Sequence, residues 1–135
     1  MKTHRRLWPF VAVLILVVAG CGAAGPARSL VAGTGIAISA VAGPVCPVER
    51  VPPDPACAPR PVPDATILVV DDQGKTVVTV TTGADGTALV AVPAGDYVLQ
   101  PQAVTGMMGG AQPVNVTVVD GTATPAVVSY DTGIR

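Results

Sequence analysis

Short apolar segments rich in β-branched residues recur along the chain after residue 35, with turn-forming residues between them. Residues 76–82 are valine and threonine alone, and in 114–118 every second residue is valine. Such segments, apolar at alternate positions, are typical of β-strands with one buried face. The pattern predicts seven strands, over residues 36–44, 65–70, 76–82, 87–92, 96–101, 114–118 and 126–130. Seven short strands indicate an all-β fold, a seven-stranded antiparallel β-sandwich.

Turn chemistry separates these segments. The connections read "DDQGK" (71–75), "GADG" (83–86), "PAG" (93–95) and Asp-Gly at 120–121. Asp-Gly places a glycine, which adopts positive φ at no steric cost, where a tight hairpin needs one. Past residue 25 no stretch shows the 3.6-residue period of an amphipathic helix. We therefore expect the domain, residues 36–135, to be built from strands.

The N-terminus has a different pattern, a basic start followed by the apolar run "LWPFVAVLILVVAG" (7–20). As a helix this run is roughly 21 Å long, whereas a bilayer core is roughly 30 Å thick. Pro9 shortens its helical part further. Small residues, Ala19 and Gly20, precede Cys21. These features predict a signal peptide over residues 1–20 rather than a retained membrane helix.

The exit of this run, "VAGC" (Val18 to Cys21), resembles the lipobox of bacterial lipoproteins, although Val18 stands where Leu is commoner. The resemblance implies that Cys21 is diacylated on its sulfur and that the chain is cut before it. Residues 21–35 would then form a flexible tether on the outer face of the bacterial cytoplasmic membrane, held there by two or three acyl chains. A secreted protein or an uncleaved signal anchor is the alternative.

An odd number of cysteines in an exported protein requires an explanation, and this chain has three. If Cys21 carries lipid, Cys46 and Cys57 remain as a pair within a proline-rich loop, residues 44–63. Proline excludes a helix or central strand there, and long loops are usually functional, disordered or cross-linked. An exported chain meets oxidising conditions, so a disulfide is expected. A metal site, which needs about four ligands, or a redox pair is the alternative.

Composition narrows the functional class. From Cys21 onward the chain has nine acidic and five basic residues, with no basic cluster. Such a chain is a poor candidate for binding nucleic acid. Tyr97 and Tyr130 are the aromatic residues left after the signal peptide. The core must therefore consist mainly of valine, isoleucine, leucine and alanine.

Residues 81–101, "TTGADGTALVAVPAGDYVLQP", resemble the central signature of carboxypeptidase-regulatory-like, prealbumin-like domains, which are relatives of the collagen-adhesin B-type repeats. The matching residues are Thr82, Asp85, Gly86, Pro93, Gly95, Tyr97 and Leu99. The aromatic residue usual after the Asp-Gly turn is absent. Residues 36–135 also resemble small actinobacterial envelope proteins of undefined function. The resemblance implies a Greek-key sandwich and specifies almost nothing about function, because such modules serve many proteins.

Candidate catalytic residues are scarce. The single histidine, His4, lies in the signal peptide, so the mature chain has no imidazole for a general base, a serine triad or zinc. The carboxylates Asp71, Asp72, Asp85, Asp96 and Asp120 stand in turn-like contexts, where aspartate usually bonds its own backbone. A calcium site at Asp71 and Asp72 is an open alternative. We expect no enzyme, no cofactor and no resident metal.

Two features stay open at this stage. In the adhesin-type relatives a lysine and an asparagine condense into an isopeptide bond, and the mature chain has one of each, Lys75 and Asn115. Lys75 lies beside a turn and Asn115 has no obvious acid partner, so we expect both at the surface. "GMMGG" (106–110) places Met107 and Met108 in a loop that is either a binding loop or a partly buried connection.

These observations predict a non-catalytic, lipid-anchored envelope protein, a structural or binding module for an unidentified envelope or protein partner. The second hypothesis is a small-ligand or carbohydrate-binding lipoprotein that serves a transporter or a wall enzyme. A deep pocket with convergent polar groups would favour the second hypothesis. A flat apolar patch on a sheet or loop would favour the first.

Overall fold

The computed structural model describes residues 32–48 and 50–134, so the predicted signal peptide and Cys21 lie outside the described residues. Within these ranges the chain forms eight strands and one 3-10 turn. The strands are β1 (Gly35–Gly43), β2 (Arg60–Pro61), β3 (Thr66–Asp71), β4 (Thr76–Thr81), β5 (Thr87–Val90), β6 (Gly95–Pro101), β7 (Val114–Val118) and β8 (Ala123–Asp131); the turn is Pro55–Cys57. The all-β prediction is confirmed.

Strand β1 is the centre of the first sheet, which we call sheet A. One edge of β1 pairs in parallel with β8 over its full length, from Gly35 with Ala123 to Gly43 with Asp131. Two antiparallel strands share the other edge: β5 pairs with the first half of β1, and β2 pairs with its end. Sheet A is therefore three strands wide where β5 or β2 pairs with β1, and two strands wide elsewhere.

The second sheet, sheet B, has the strand order β4-β3-β6-β7, and all its pairs are antiparallel. The register between β3 and β4 shifts once, between Val69 and Val70. Strands β5 and β7 are each followed by a connection that crosses from one sheet to the other. The two sheets therefore face each other as a sandwich.

The core lies between the sheets and is built from alternate strand residues. Its largest fully buried side chains are Tyr130, Ile36, Ile38, Ile67, Leu99, Val62, Val69 and Val128. Burying one valine, leucine or isoleucine side chain contributes about 1.5–3 kcal/mol. The expected aliphatic core is confirmed, and both tyrosines lie within it, Tyr97 at 3% and Tyr130 at 1% exposure.

The structure corrects the predicted strands in number and in direction. The eighth strand, β2, pairs with Val41 and Ala42 beyond the end of β5, where β1 would otherwise leave backbone groups unpaired. The β1–β8 pair is parallel, whereas we expected antiparallel pairs throughout. Alternation of apolar residues does not distinguish the two kinds of pairing, so the sequence carried no signal for this pair.

The start of the domain lies slightly before residue 36. Strand β1 begins at Gly35, and Thr34 is buried with its hydroxyl accepting a hydrogen bond from the backbone N–H of Gly121 at 2.7 Å. Thr34 and Gly35 therefore belong to the sandwich rather than to the tether.

The strand directions give the sandwich two different ends. At the end where β1 begins, which we call the tether end, lie residues 32–34 and the connections 72–75, 91–94 and 119–122. At the opposite end, the far end, lie the proline-rich loop, the connections 82–86 and 102–113, and residues 132–134.

Candidate interaction surfaces

The proline-rich loop is closed at the far end by the predicted disulfide. The sulfurs of Cys46 and Cys57 are bonded, with their Cα atoms 5.3 Å apart, which confirms the pairing. Within the loop the Asp54 carboxylate accepts a hydrogen bond from the backbone N–H of Ala56 at 2.9 Å and caps the 3-10 turn. The two cysteines are thus structural rather than metal ligands.

The C-terminal segment joins this loop to the β6–β7 connection. The backbone N–H of Thr132 donates to the Gly43 carbonyl at 3.2 Å, and its hydroxyl donates to the Pro44 carbonyl. On the other side the backbone N–H of Met108 donates to the Asp131 carbonyl at 2.9 Å. We call the described residues of 44–59, together with 102–113 and 132–134, the far-end cap.

The two methionines of the predicted binding loop have different surroundings. Met107 is half-buried and packs against the core, which makes it part of a packed connection. Met108 is 68% exposed on the far-end cap. Val48 and Val51 of the disulfide loop are exposed there too, at 69% and 99%. The cap therefore presents scattered apolar side chains.

Open grooves, not enclosed cavities, accompany the disulfide loop. One of about 490 Å³ is lined by Arg50, Asp54 and Cys57 with three prolines and Ala58, and one of about 250 Å³ shares the same three residues. Small-molecule sites combine burial of the ligand with several convergent polar groups. Arg50 and Asp54 are the charged side chains of both linings, and two such groups on open walls do not make that arrangement.

The outer face of sheet A carries no charged side chain in its three middle rows, and Asp131 lies on the same face one row further toward the far end. Its residues occupy the odd-numbered positions of the strands, because the even-numbered ones point into the core. The register places nine of them in three rows: Leu89, Ala37 and Pro125; Thr87, Ser39 and Val127; Pro61, Val41 and Ser129. Leu89 and Val127 are 74% and 57% exposed, although both are large and apolar. We call these nine residues the outer face of sheet A.

The outer face of sheet B is more polar. It presents Thr79 and Thr81 on β4, and Asp96, Asn115 and Thr117 on β6 and β7. The Thr117 hydroxyl donates to the Asp96 carboxylate at 2.7 Å. The two faces of the sandwich therefore differ in chemistry.

Asp71 and Asp85, predicted in turns, hold their own turns, whereas Asp96, also predicted in a turn, lies within β6. The Asp71 carboxylate accepts from the backbone N–H groups of Gln73 and Lys75 at 3.0 and 2.9 Å. Asp85 accepts from the backbone N–H and the hydroxyl of Thr87, and these hydrogen bonds lower the pKa of its carboxyl. Within residues 32–48 and 50–134, no three histidine, cysteine or acidic side chains are grouped to hold a metal ion.

Lys75 lies in a turn beside one edge strand of sheet B, Asn115 lies on the other edge strand, and the two are not joined. Lys75 stands in the turn that leads into β4, and Asn115 is exposed on β7. Strands β3 and β6 separate β4 from β7. Three strand spacings of about 4.8 Å put the two strands about 14 Å apart. The order of the strands thus keeps this pair from forming an isopeptide bond.

Two residues of the signature have roles that sequence reasoning did not assign. Thr82 is 2% exposed, and its hydroxyl accepts from the backbone N–H of Ala65 at 2.9 Å and donates to the Val62 carbonyl at 2.7 Å. The Tyr97 hydroxyl donates to the Pro93 carbonyl at 2.9 Å. The outer face of sheet A was also missed, although the lack of charge at odd positions of 36–44 and 87–92 was a usable signal.

In the part of the chain that the structure describes, no helix has the length and apolar character needed to cross a bilayer. That part has two packed sheets, a disulfide-closed loop, and a sheet face with three uncharged rows. These features define the class of protein as a β-sandwich module whose candidate functional sites are exposed surfaces.

Comparison with known proteins shows which solved structures have a similar fold. No protein-family model and no curated protein matches the sequence. The minor pilin GBS52 of Streptococcus agalactiae has a similar structure, with a TM-score of 0.56 and 14% identity over 73% of this chain and 44% of that chain. The TIE protein of Bacillus anthracis has a TM-score of 0.52 and 19% identity over 72% of this chain and 17% of that chain. This chain spans less than half of either protein, and the likeness is one of fold.

Proposed function

We propose that this chain is a non-catalytic, lipid-anchored cell-envelope protein that acts as a structural or protein-binding module. The observation that carries the proposal is the outer face of sheet A, with nine residues in three rows and no charge among them. Large exposed side chains, Leu89 and Val127, project from it. A surface without charge that carries large exposed apolar side chains is typical of a site that contacts another protein.

The anchoring part of the proposal is supported by the sequence before the sandwich. Residues 1–20 have the order of a signal peptide, and Cys21 ends a lipobox-like segment. A tether of residues 21–33 could reach about 45 Å when extended. It enters the sandwich at the tether end, so the far-end cap would point away from the outer face of the cytoplasmic membrane. A prealbumin-like Greek-key topology for residues 36–135 is part of the same proposal.

The non-catalytic part is supported by the chemistry of the described residues and by the fold. Asp71 and Asp85 hold turns, Asp96 accepts a hydrogen bond from the neighbouring strand, and the two cysteines form a disulfide. The minor pilin that shares the fold is named for an assembly role rather than for a reaction. Analogy of fold is a weak argument for function, so the proposal depends mainly on the surface chemistry.

The carbohydrate-binding alternative has less support. Proteins that bind sugars usually stack them on exposed aromatic rings, and both tyrosines of the described chain are buried in the core. The open grooves beside the disulfide loop offer Arg50 and Asp54 as their charged side chains, among proline and other largely apolar residues. Neither feature suits a sugar or a small polar ligand.

Metabolic labelling tests the proposal. Cells that express the chain are grown with an alkyne-tagged fatty acid and separated into membrane and soluble fractions. The wild-type chain should be labelled and should sediment with membranes. The Cys21→Ala variant should be unlabelled and leave the membrane fraction. An unlabelled wild-type chain would contradict lipid anchoring.

A further inference from the structure

We propose that the outer face of sheet A packs against the same face of a second copy of this chain on the same membrane, about a two-fold axis parallel to β1. The proposal deepens the proposed function and rests on it, because it takes Cys21 to be the membrane anchor. The partner of this binding module is then the protein itself.

The lack of charge on this face suits contact between identical surfaces. In a two-fold interface the same patch is used twice, so a net charge on the patch repels its own copy. The rows of the outer face of sheet A hold no charge, and the nearest acid in its strands, Asp131, lies at the far end of β8. The face of sheet B carries Asp96 and polar side chains instead. Sheet A is thus the face suited to self-contact.

The position of the tether selects the symmetry axis. Both copies must direct their tether ends toward one membrane, and a two-fold axis parallel to the strands does this. An axis perpendicular to the strands would point the two tethers in opposite directions. Packed sheets prefer nearly aligned strands at a separation of about 10 Å. Alignment along the membrane normal satisfies both conditions.

The rows of side chains are complementary under this axis. The rotation keeps every residue at its own height and exchanges the two sides of β1. Leu89 and Pro125 flank Ala37 in one row, so Leu89 faces the second copy's Pro125. Between these two contacts lie only the small side chains of Ala37 from each copy. In the next row Thr87 faces the second copy's Val127. The small residues of β1 leave room for these flanking side chains to approach.

The size of the face indicates that the membrane is needed for the pairing. The nine residues, in three rows about 6.8 Å apart across three strand positions, span about 14 Å by 20 Å, or roughly 560 Å² over both copies. Stable interfaces usually bury about 1,200 Å² or more. Anchoring in one membrane raises the effective concentration and compensates for the small area. We therefore expect dimers on the membrane and monomers when the chain is diluted in detergent.

Site-directed cross-linking on membranes tests the proposal with the full chain. Ala37→Cys and Val41→Cys place a thiol on the outer face of sheet A, on either side of its middle row, and Thr79→Cys is the matched control on sheet B. Membranes are treated with a short bismaleimide, and the tagged fatty acid is read on the same samples. The chain without an added cysteine controls for a free thiol at position 21.

We expect Ala37→Cys and Val41→Cys each to give cross-linked dimer, and Thr79→Cys to give little. Absence of dimer from labelled chain would overturn the pairing and leave the anchoring intact. Dimer only in mixtures of Ala37→Cys with Val41→Cys would overturn the proposed axis. A yield of cross-linked dimer from Thr79→Cys equal to that from Ala37→Cys would show that the cross-links come from random collision, and it would overturn the pairing. Dimer from unlabelled chain would support the pairing and contradict the anchor.

A charge substitution gives a second test. Leu89→Asp buries a carboxylate against the second copy's Pro125, so in the Ala37→Cys background cross-linked dimer should fall by about tenfold or more. Thr79→Asp introduces the same charge on the other face and should leave the dimer unchanged. Far-ultraviolet circular dichroism checks that both variants are folded. A Leu89→Asp variant that is folded and still dimerises would contradict the proposal.

Discussion

Gly86 shows why the turn between β4 and β5 needs glycine. Its φ is +73°, and a Cβ at this position would lie 2.7 Å from the Ala40 carbonyl oxygen and 2.9 Å from the Val62 nitrogen. The Gly86 carbonyl in turn accepts from the backbone N–H of Ala40 at 2.8 Å. Glycine thus lets the turn lie directly against β1, between the stretches that pair with β5 and β2.

Gly86→Ala should therefore lower the free energy of unfolding by about 2–4 kcal/mol, because it combines a left-handed φ with a backbone clash. Gly74→Ala is the matched control, since Gly74 has a φ of +77° and no atom within 4 Å of the added Cβ. It should cost about 1 kcal/mol. Urea unfolding measures both values. Equal losses would mean that φ alone, and not the contact with β1, requires glycine at position 86.

Thr82 bonds two backbone groups of the segment that leads into β3. Thr82→Val should lower the free energy of unfolding by about 1–3 kcal/mol, because it leaves the Ala65 N–H and the Val62 carbonyl buried without this partner. Thr82→Ser keeps the hydroxyl and should cost less. Thr81→Val, at an exposed neighbour, should change stability by about 0.5 kcal/mol or less. A neutral Thr82→Val would refute the structural role.

For single residues, the sequence predicted which positions are structurally important, but it did not predict all of the contacts that make them so. The Asp-Gly turn and its positive φ follow from local chemistry. The burial of Thr82 does not, since it depends on β3 and on residues 62–65 folding back over the turn. Long-range contacts of this kind leave no local pattern.

Among the elements, the disulfide loop has the clearest expected effect on stability. Its cysteines are 11 residues apart, and closing a loop of that length should stabilise the fold by about 3 kcal/mol. We expect the double variant Cys46→Ser, Cys57→Ser to lose about that much in urea unfolding and to retain its strands. Reduction of the wild-type chain should give the same loss. A loss near zero would mean that the loop is uncoupled from the sandwich.

The elements were the most predictable level. Alternation located the seven longer strands, and proline located the loop between them. Strand β2 was missed because Arg60–Pro61 has no strand pattern of its own and pairs only because β1 extends past β5. Sheet order and the parallel β1–β8 pair were also beyond the sequence, since apolar periodicity specifies a face and not a neighbour.

For the whole molecule, the change of the unfolding free energy at alkaline pH reports whether Tyr130 is buried in the core. Burial raises the pKa of Tyr130 above its ordinary value of 10.0, and its hydroxyl donates to the Gln102 carbonyl at 3.2 Å. The unfolded chain therefore loses this proton first, so stability should fall as the pH rises past about 10. Tyr130→Phe removes this titration, and its unfolding free energy should depend less on pH between about 9 and 11. Identical slopes for both chains would contradict the burial.

The two ends of the sandwich differ in the segments that lie there. Residues 32–34 enter the sandwich at one end, the far-end cap lies at the other, and the three uncharged rows of sheet A lie between them. The anchor stays a prediction from the sequence. The surface is formed by residues of β1, β2, β5 and β8, which are distant in sequence, so it became visible only with the register.

The central claim is that a lipid on Cys21 holds this sandwich at the membrane. Mass spectrometry of the N-terminal peptide from the mature, membrane-extracted chain tests it most directly. We predict a peptide that begins at Cys21 and carries a diacylglyceryl group on its sulfur, with residues 1–20 removed. A mature chain that retains residues 1–20, or that begins at an unmodified Cys21, would contradict the account.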